Sequence, residues 1–348
     1  MVMKSHQSKV EKSIPVANSG SLLKPCVSLA IGIILTIVAA FLTENAEEIE
    51  SANEFRLTCG DIVSKIETRL HNNAQLLRSG AAFFIGSDTI TRSEWKEFCE
   101  RLKIEKNLPG IQGVGFSMII KQQALQQHIR YVKNEGFKQY SIKPAGDRNI
   151  YTSIIYLEPF TDRNLRAFGY DMFTEPTRRK AMELSRDSDI AMLSGKVNLL
   201  QETDTDIQSG TLMYVPVYTN GMPIKTIEQR RAAIKGWVYS PYRMGDLMWG
   251  ILGRWDEHHM ERIQLRVFDE YKSVHSLLFN SLKNDTLFHS ENACRAVTFP
   301  IVFNGKKWIL CFNQSREQIP LLHGKVLLVL LTGFIISILL FFLSLYYF

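Results

Sequence analysis

The chain has 348 residues, 45% of them hydrophobic, and a formal net charge of +6. That length allows a sizeable core and about two domains. Its basic residues are interleaved with Asp and Glu and build no dense Lys/Arg block, which argues against nucleic acid as a partner.

The first apolar run, Cys26 to Leu42, is uncharged and just long enough to cross a hydrocarbon core of about 30 Å. Lys4, Lys9, Lys12 and Lys24 precede it against Glu11 alone, and Glu44, Glu47, Glu48 and Glu50 follow. Lys and Arg stay on the cytoplasmic side, so residues 1–25 are expected inside and the middle of the chain outside. A cleaved signal peptide competes with this reading, because Ala39, Ala40 and Ala46 offer small residues near a cleavage site. The long polar leader and the acidic continuation favour an uncleaved anchor over 26–42.

From Asn45 to about Gly86 the absence of proline and the spacing of Cys59, Ile62, Val63, Ile66, Leu70, Asn73 and Leu77 predict one long helix, a stalk over 43–86. Two readings of that apolar stripe stay open. It packs on its own domain, or it forms the seam of a homodimer with Asn73 fixing register. The second allows a Cys59–Cys59 bridge between copies. Thr91 followed by Glu94 is a capping-box pattern for a helix over Arg92 to Lys103, with Trp95, Phe98 and Leu102 inward. Pro109-Gly110 is a turn.

Strands are expected at Ile111 to Ile119, Tyr140 to Lys143, Tyr151 to Leu157, Lys196 to Gln201, Thr211 to Tyr218 and Ile234 to Tyr239. Helices are expected at Gln122 to Asn134, Pro176 to Arg186 and Tyr242 to Leu252, and a polar loop after the Asn220-Gly221 turn. A smaller unit follows, with strands at Ile263 to Phe268, Ser273 to Phe279, Ala296 to Phe303 and Lys307 to Phe312; Asn304-Gly305 is a two-residue hairpin signal. If that hairpin is regular, Cys311 faces position 298 and lies too far from Cys294 for a bridge. The second apolar run, Val326 to Leu345, ends in Tyr346, Tyr347 and Phe348 and reads as a span returning to the cytoplasm, where any output domain would follow or be supplied by a partner.

The fold class is therefore α+β: a long N-terminal stalk helix, then two units with antiparallel sheets over 87–252 and 253–320, flanked by two transmembrane helices. The ordered blocks Gly110 to Ser117 (GIQGVGFS), Tyr156 to Met172, Arg178 to Glu202, Leu212 to Tyr218 and Lys235 to Met248 resemble the CHASE domain. That resemblance implies an extracytoplasmic sensor with two PAS-like units, the membrane-distal one holding a small ligand. It also implies a histidine kinase or nucleotide cyclase as cytoplasmic output.

In the plant cytokinin receptors of this family the ligand is adenine-like. Their pocket aspartate corresponds to Asp171 here, a lining leucine to Leu193 and a threonine to Thr203. Bulky Met213 and Tyr214 stand where those receptors carry small apolar residues.

Asp171 has two readings: a pocket carboxylate accepting N–H donors, or an acid capping the helix that follows. Tyr214, Tyr239 and Gly236 are further ligand-binding candidates, the tyrosines as aromatic lining and Gly236 as a point of close backbone approach. His258-His259 with Glu257 and Glu261 has no metal-site geometry, because adjacent side chains point apart. No phosphate loop or nucleophile motif is present, so neither a cofactor nor catalysis is expected. The leading expectation is a two-pass inner-membrane receptor that senses a small molecule. The alternative is an ectodomain that binds a protein and no small ligand, which a closed core around Asp171 and Leu193 would favour.

Overall fold

The computed structural model describes residues 23–86, 89–200, 207–253, 263–282, 293–315 and 324–347. Thr203 and the His258-His259 pair lie outside them. The chain divides into one unit of Met1–Phe55 with Ile319–Phe348 and another of Arg56–Gln318.

The first unit holds the two apolar helices. Helix α1 runs without a break over Leu23–Phe83, so the first apolar run and the stalk are one helix. Helix α8 spans Gly324–Tyr347. Both are long and apolar enough to cross a membrane. They meet at small residues. A Cβ on Gly32 would lie 2.5 Å from Ser337 Oγ, and one on Gly333 would lie 2.4 Å from Thr36, so only glycine allows this approach. Lys325 closes the same pair through Glu47 at 3.5 Å and Glu50 at 3.3 Å.

The second unit contains two antiparallel sheets. β1 (Val114–Lys121), β2 (Ile150–Glu158), β3 (Met192–Leu193), β4 (Gly210–Tyr218) and β5 (Ile234–Arg243) form the larger, in the order β2-β1-β5-β4-β3. β6 (Gln264–Asp269), β7 (Leu277–Asn280), β8 (Ala293–Phe303) and β9 (Lys306–Ser315) form the smaller, in the order β7-β6-β9-β8. These are the two PAS-like sheets expected.

The larger sheet has two covered faces. One packs on the stalk and on α2 (Arg92–Leu102), whose Thr91–Glu94 capping box forms as expected. Cys59, Ile62, Ile66, Leu70, Asn73 and Leu77 are all buried within one copy of the chain, so the stripe packs on its own domain. Burial also pushes the Cys59 thiol up to about 12 and removes it from reach of a second copy. The opposite face is covered by α5 (Pro176–Ser188), around Ile154, Met172, Met182, Tyr214, Trp237 and Tyr239.

Helices α3 (Ile104–Asn107), α4 (Leu125–Asn134), α6 (Ile227–Ala233) and α7 (Met244–Leu252) complete the described α-helices. The polar loop expected after Asn220-Gly221 contains α6, which starts at its own capping box of Thr226 and Gln229. Two expected strands are not formed. Tyr140 to Lys143 contributes a single bridge, Lys143 to Tyr170. Residues 196–200 contribute one bridge, Val197 to Gly210. The edge strand is Met192–Leu193 instead; Ser194 Oγ takes the Leu212 N–H at 2.9 Å, and the chain bends at Lys196.

The Asn304-Gly305 hairpin joins β8 to β9 with both residues at positive φ, and Thr298 pairs with Cys311 as expected. Cys26, Cys59, Cys99 and Cys311 are free thiols. The smaller sheet is stitched to the β3 turn by Asp269, which accepts the Lys196 N–H at 3.0 Å and pairs with Lys306 at 2.7 Å. Asn304 adds a bond to the Ala191 carbonyl at 2.6 Å.

Candidate functional site

Asp171 is fully buried on the α5 side of the larger sheet. Its Oδ1 accepts the Thr152 N–H at 2.9 Å, the Thr152 hydroxyl at 2.7 Å and the Phe173 N–H at 3.1 Å. The last bond caps the 3-10 turn Met172–Thr174, so the capping reading is realised, and the Thr152 bonds tie that turn to β2. The capping of α5 itself falls to Glu175, which accepts from Thr177 and Arg178 N–H. Asp171 Oδ2 has no hydrogen bond; Arg148 Nε stands 3.1 Å away as an ion pair without hydrogen-bond alignment. Arg148 is held by the Pro144 carbonyl at 2.7 Å and lies 4.8 Å over the Tyr151 ring, part-exposed at the edge of β2.

The strand registers sort the other candidates. Directly paired residues share a face, and faces alternate along a strand. Tyr214 pairs with Tyr239, and both join the core on the Asp171 side. Gly236 is three positions before Tyr239 on β5 and so faces the other way: a Cβ there would lie 2.3 Å from the Ser117 carbonyl and 2.7 Å from Phe116 Cζ. Its glycine serves close packing of β5 on β1, facing Phe116 on the stalk side. Leu193 pairs with Met213 and takes the stalk-side face, while Met192 pairs with Tyr214 and faces Asp171's core. The structure thus brings Asp171, Tyr214 and Tyr239 to one face, and sets Leu193 and Gly236 on the other.

Sequence reasoning missed Arg178 and Ser117. Arg178, on α5, is buried, donates to the Asn198 carbonyl at 2.7 Å and lies 5.1 Å over the Tyr170 ring, with Nε unpaired. The signal for it was the apolar phase of α5, which places position 178 with Ala181, Met182 and Ser185 on the buried side. Burial pushes the Tyr214 and Tyr239 hydroxyls well above the usual phenol range, and the Arg178 charge opposes the rise in both. Tyr214 donates to Met172 Sδ at 3.3 Å. Tyr239, only 1% exposed, has no partner for its hydroxyl, and neither has Ser117. Gly115 makes room for the Tyr239 ring, whose Cε1 would be 2.6 Å from a Cβ there.

A buried hydroxyl or guanidinium N–H without a partner costs about 1–3 kcal/mol. Native cores usually pair such groups, so Tyr239, Ser117 and Arg178 make this face of the larger sheet the candidate site. Two PAS-like sheets on a long helix, with such a face in the larger one, have the layout of a sensor module.

A sequence profile of the CHASE domain matches residues 88–279, more than half of the chain, and the chain belongs to the CHASE domain family. Hybrid signal transduction histidine kinase A of Dictyostelium discoideum is 27% identical over 130 residues, which cover 36% of this chain and 6% of that protein. Two solved sensor domains overlap loosely with the fold. The ligand-binding domain of the Pseudomonas aeruginosa PAO1 amino acid chemoreceptor PctC, solved with GABA, gives a TM-score of 0.45 at 12% identity, covering 76% of this chain and 99% of that one. The periplasmic sensory domain of the Campylobacter jejuni chemoreceptor Tlp1 gives 0.41 at 8% identity, covering 79% and 96%.

Proposed function

We propose that this chain is the extracytoplasmic ligand-sensing region of a transmembrane receptor and that a small molecule binds between the larger sheet and α5. The observation that carries this is the Tyr239 hydroxyl, buried and unpartnered beside Arg178 and Tyr214. A planar ligand with acceptor atoms would take the Tyr239 and Ser117 hydroxyls and the free Arg178 Nε–H, and Asp171 Oδ2 would accept an N–H in place of Arg148. Adenine-type compounds meet that description, as do other heterocycles.

Binding shifts the balance between two conformations only through contacts that differ between them. Here those contacts lie on β4 and β5, whose other face packs on the stalk, so α1 is the output element. A cytoplasmic kinase or cyclase would then read the movement of α1 and α8, with residues 43–320 outside the cytoplasm of a two-pass inner-membrane protein. A homodimer through the stalk belongs to this reading. It would use the side of α1 opposite the buried stripe, where Leu57 is exposed.

The close packing around Asp171 supports a second reading, an ectodomain that binds a protein and no small ligand. The test is a thermal-shift screen of the full chain in detergent against nucleobases, amino acids and short peptides, with Tyr239→Phe as control. A compound that stabilises the wild type and loses roughly tenfold in affinity on Tyr239→Phe supports the site. Hits indifferent to Tyr239→Phe and to Asp171→Asn would remove it.

A further inference from the structure

A cavity of about 400 Å³ lies between the last turns of α1, the C-terminal end of β4 and Asp189, the residue that ends α5. It shares no residue with the α5-side site, and its volume suits a small molecule. Ala81 and Ala82 on α1 and Pro216 on β4 give it apolar walls. Ile85, Met222 and Ile224 also line it and stay exposed, so its apolar lining reaches solvent.

Arg78 on α1 and Asp189 are the charged residues of the described lining. Arg78 donates to the Asp189 backbone carbonyl at 3.3 Å, and neither side chain has an ion-pair partner among the described residues. The charges nearby are committed elsewhere. Asp187 is held by Arg186 at 2.7 Å and Arg231 at 2.6 Å, and Arg230 donates to the carbonyls of Asp187, Ile224 and Lys225. Tyr218 gives its hydroxyl to the Arg186 carbonyl, and Asn220 gives its amide to the Ile85 carbonyl. A guest therefore meets one cation, one anion and an apolar wall.

We propose that this cavity is a second ligand site, for a free α-amino acid with an aliphatic side chain. Its carboxylate pairs with the Arg78 guanidinium, its ammonium with the Asp189 carboxylate, and its side chain lies against Ala82, Met222 and Ile224. A zwitterion answers both charges without bringing a net charge of its own, and charge-assisted bonds at its two ends fix its orientation. The guest bridges the stalk to the end of α5, whereas the α5-side site reaches the stalk only through the sheet.

The experiment titrates the full chain in nanodiscs with L-leucine by calorimetry. 4-Methylpentanoate, which lacks the ammonium, and 3-methylbutylamine, which lacks the carboxylate, are the counterparts. Saturable binding of leucine is expected, with each counterpart roughly tenfold weaker or worse. Arg78→Gln and Asp189→Asn should each weaken leucine by a similar factor; asparagine tolerates the φ of 55° at position 189, so the turn survives. Ala82→Trp fills the cavity from an exposed position on α1 and should abolish binding. Tyr239→Phe, in the α5-side site, should leave it unchanged. An absence of saturable leucine binding, equal binding of either counterpart, or undiminished binding by Arg78→Gln, Asp189→Asn or Ala82→Trp overturns the proposal. Loss in Tyr239→Phe with retention in Ala82→Trp also overturns it, and would place leucine in the α5-side site.

Discussion

Asp171→Ala tests the wiring of the α5-side site most directly. The substitution removes the acceptor of three hydrogen bonds, from the Thr152 N–H, the Thr152 hydroxyl and the Phe173 N–H, and leaves Arg148 without its anion. Removing one member of a buried ion pair costs about 3–5 kcal/mol, and an orphaned buried N–H about 1–3 kcal/mol. These terms overlap, because Arg148 is part-exposed and can turn to water, so a total of about 4 kcal/mol follows. For a domain of this size about 2–4 °C in Tm accompanies each kcal/mol, giving a fall of about 8–16 °C. Asp171→Asn keeps an oxygen for the Thr152 and Phe173 donors and loses only the charge facing Arg148, so about 1–2 kcal/mol is expected. Thermal unfolding of the full chain in detergent, followed by tryptophan fluorescence, measures both. A change on Asp171→Ala within about 1 kcal/mol of wild type, or an asparagine variant less stable than the alanine one, would refute the reasoning. The same magnitudes make Asp171→Ala a poor control for ligand binding, since it reads folding first.

Tyr239→Phe should move stability the other way. It keeps the ring over Gly115 and deletes an unpaired buried hydroxyl, so the ligand-free protein should gain up to about 1 kcal/mol, read as a rise in urea midpoint; a loss of that size would show that the hydroxyl is paired. His128 predicts a pH dependence. Its folded pKa of about 4 lies below the ordinary value, so the unfolded chain binds more protons between about 4 and about 6.5. Stability should be level in this respect above that window and fall as pH drops through it, by up to about 3 kcal/mol, and His128→Gln should flatten the fall measured by urea titration. In the membrane unit, Gly32→Leu should separate α1 from α8 and lower Tm in detergent, because even a Cβ on Gly32 would lie 2.5 Å from Ser337 Oγ. A Tm for Gly32→Leu equal to that of wild type would count against that packing.

The sequence by itself determined every feature whose cause is local or compositional. The capping box of α2 needs only Thr91 and Glu94 three residues apart, and the β8–β9 hairpin needs only Asn304-Gly305 between apolar stretches. The apolar runs at the two ends and the long proline-free helix were legible for the same reason, and five ordered blocks carried the family. Even the missed helix α6 had its local signal, the Thr226–Gln229 box, hidden in a polar stretch.

Only the tertiary structure decided what each strand faces and what each stripe meets. Leu193 and Gly236 face away from Asp171, because a pairing register of Leu193 with Met213 fixes a face that no spacing in the sequence specifies. Of the strand expected at 196–201, residues 196–200 keep only the Val197–Gly210 bridge, and Ser194 Oγ takes the Leu212 N–H, a bond made only in the presence of β4. Arg178 shares the buried side of α5 with Ala181, Met182 and Ser185, and only the sheet packed on that side makes it a buried cation. Periodicity says that a face is apolar; it takes the partner surface, with its own unpaired donors, to say whether that face is a core, a seam or a site.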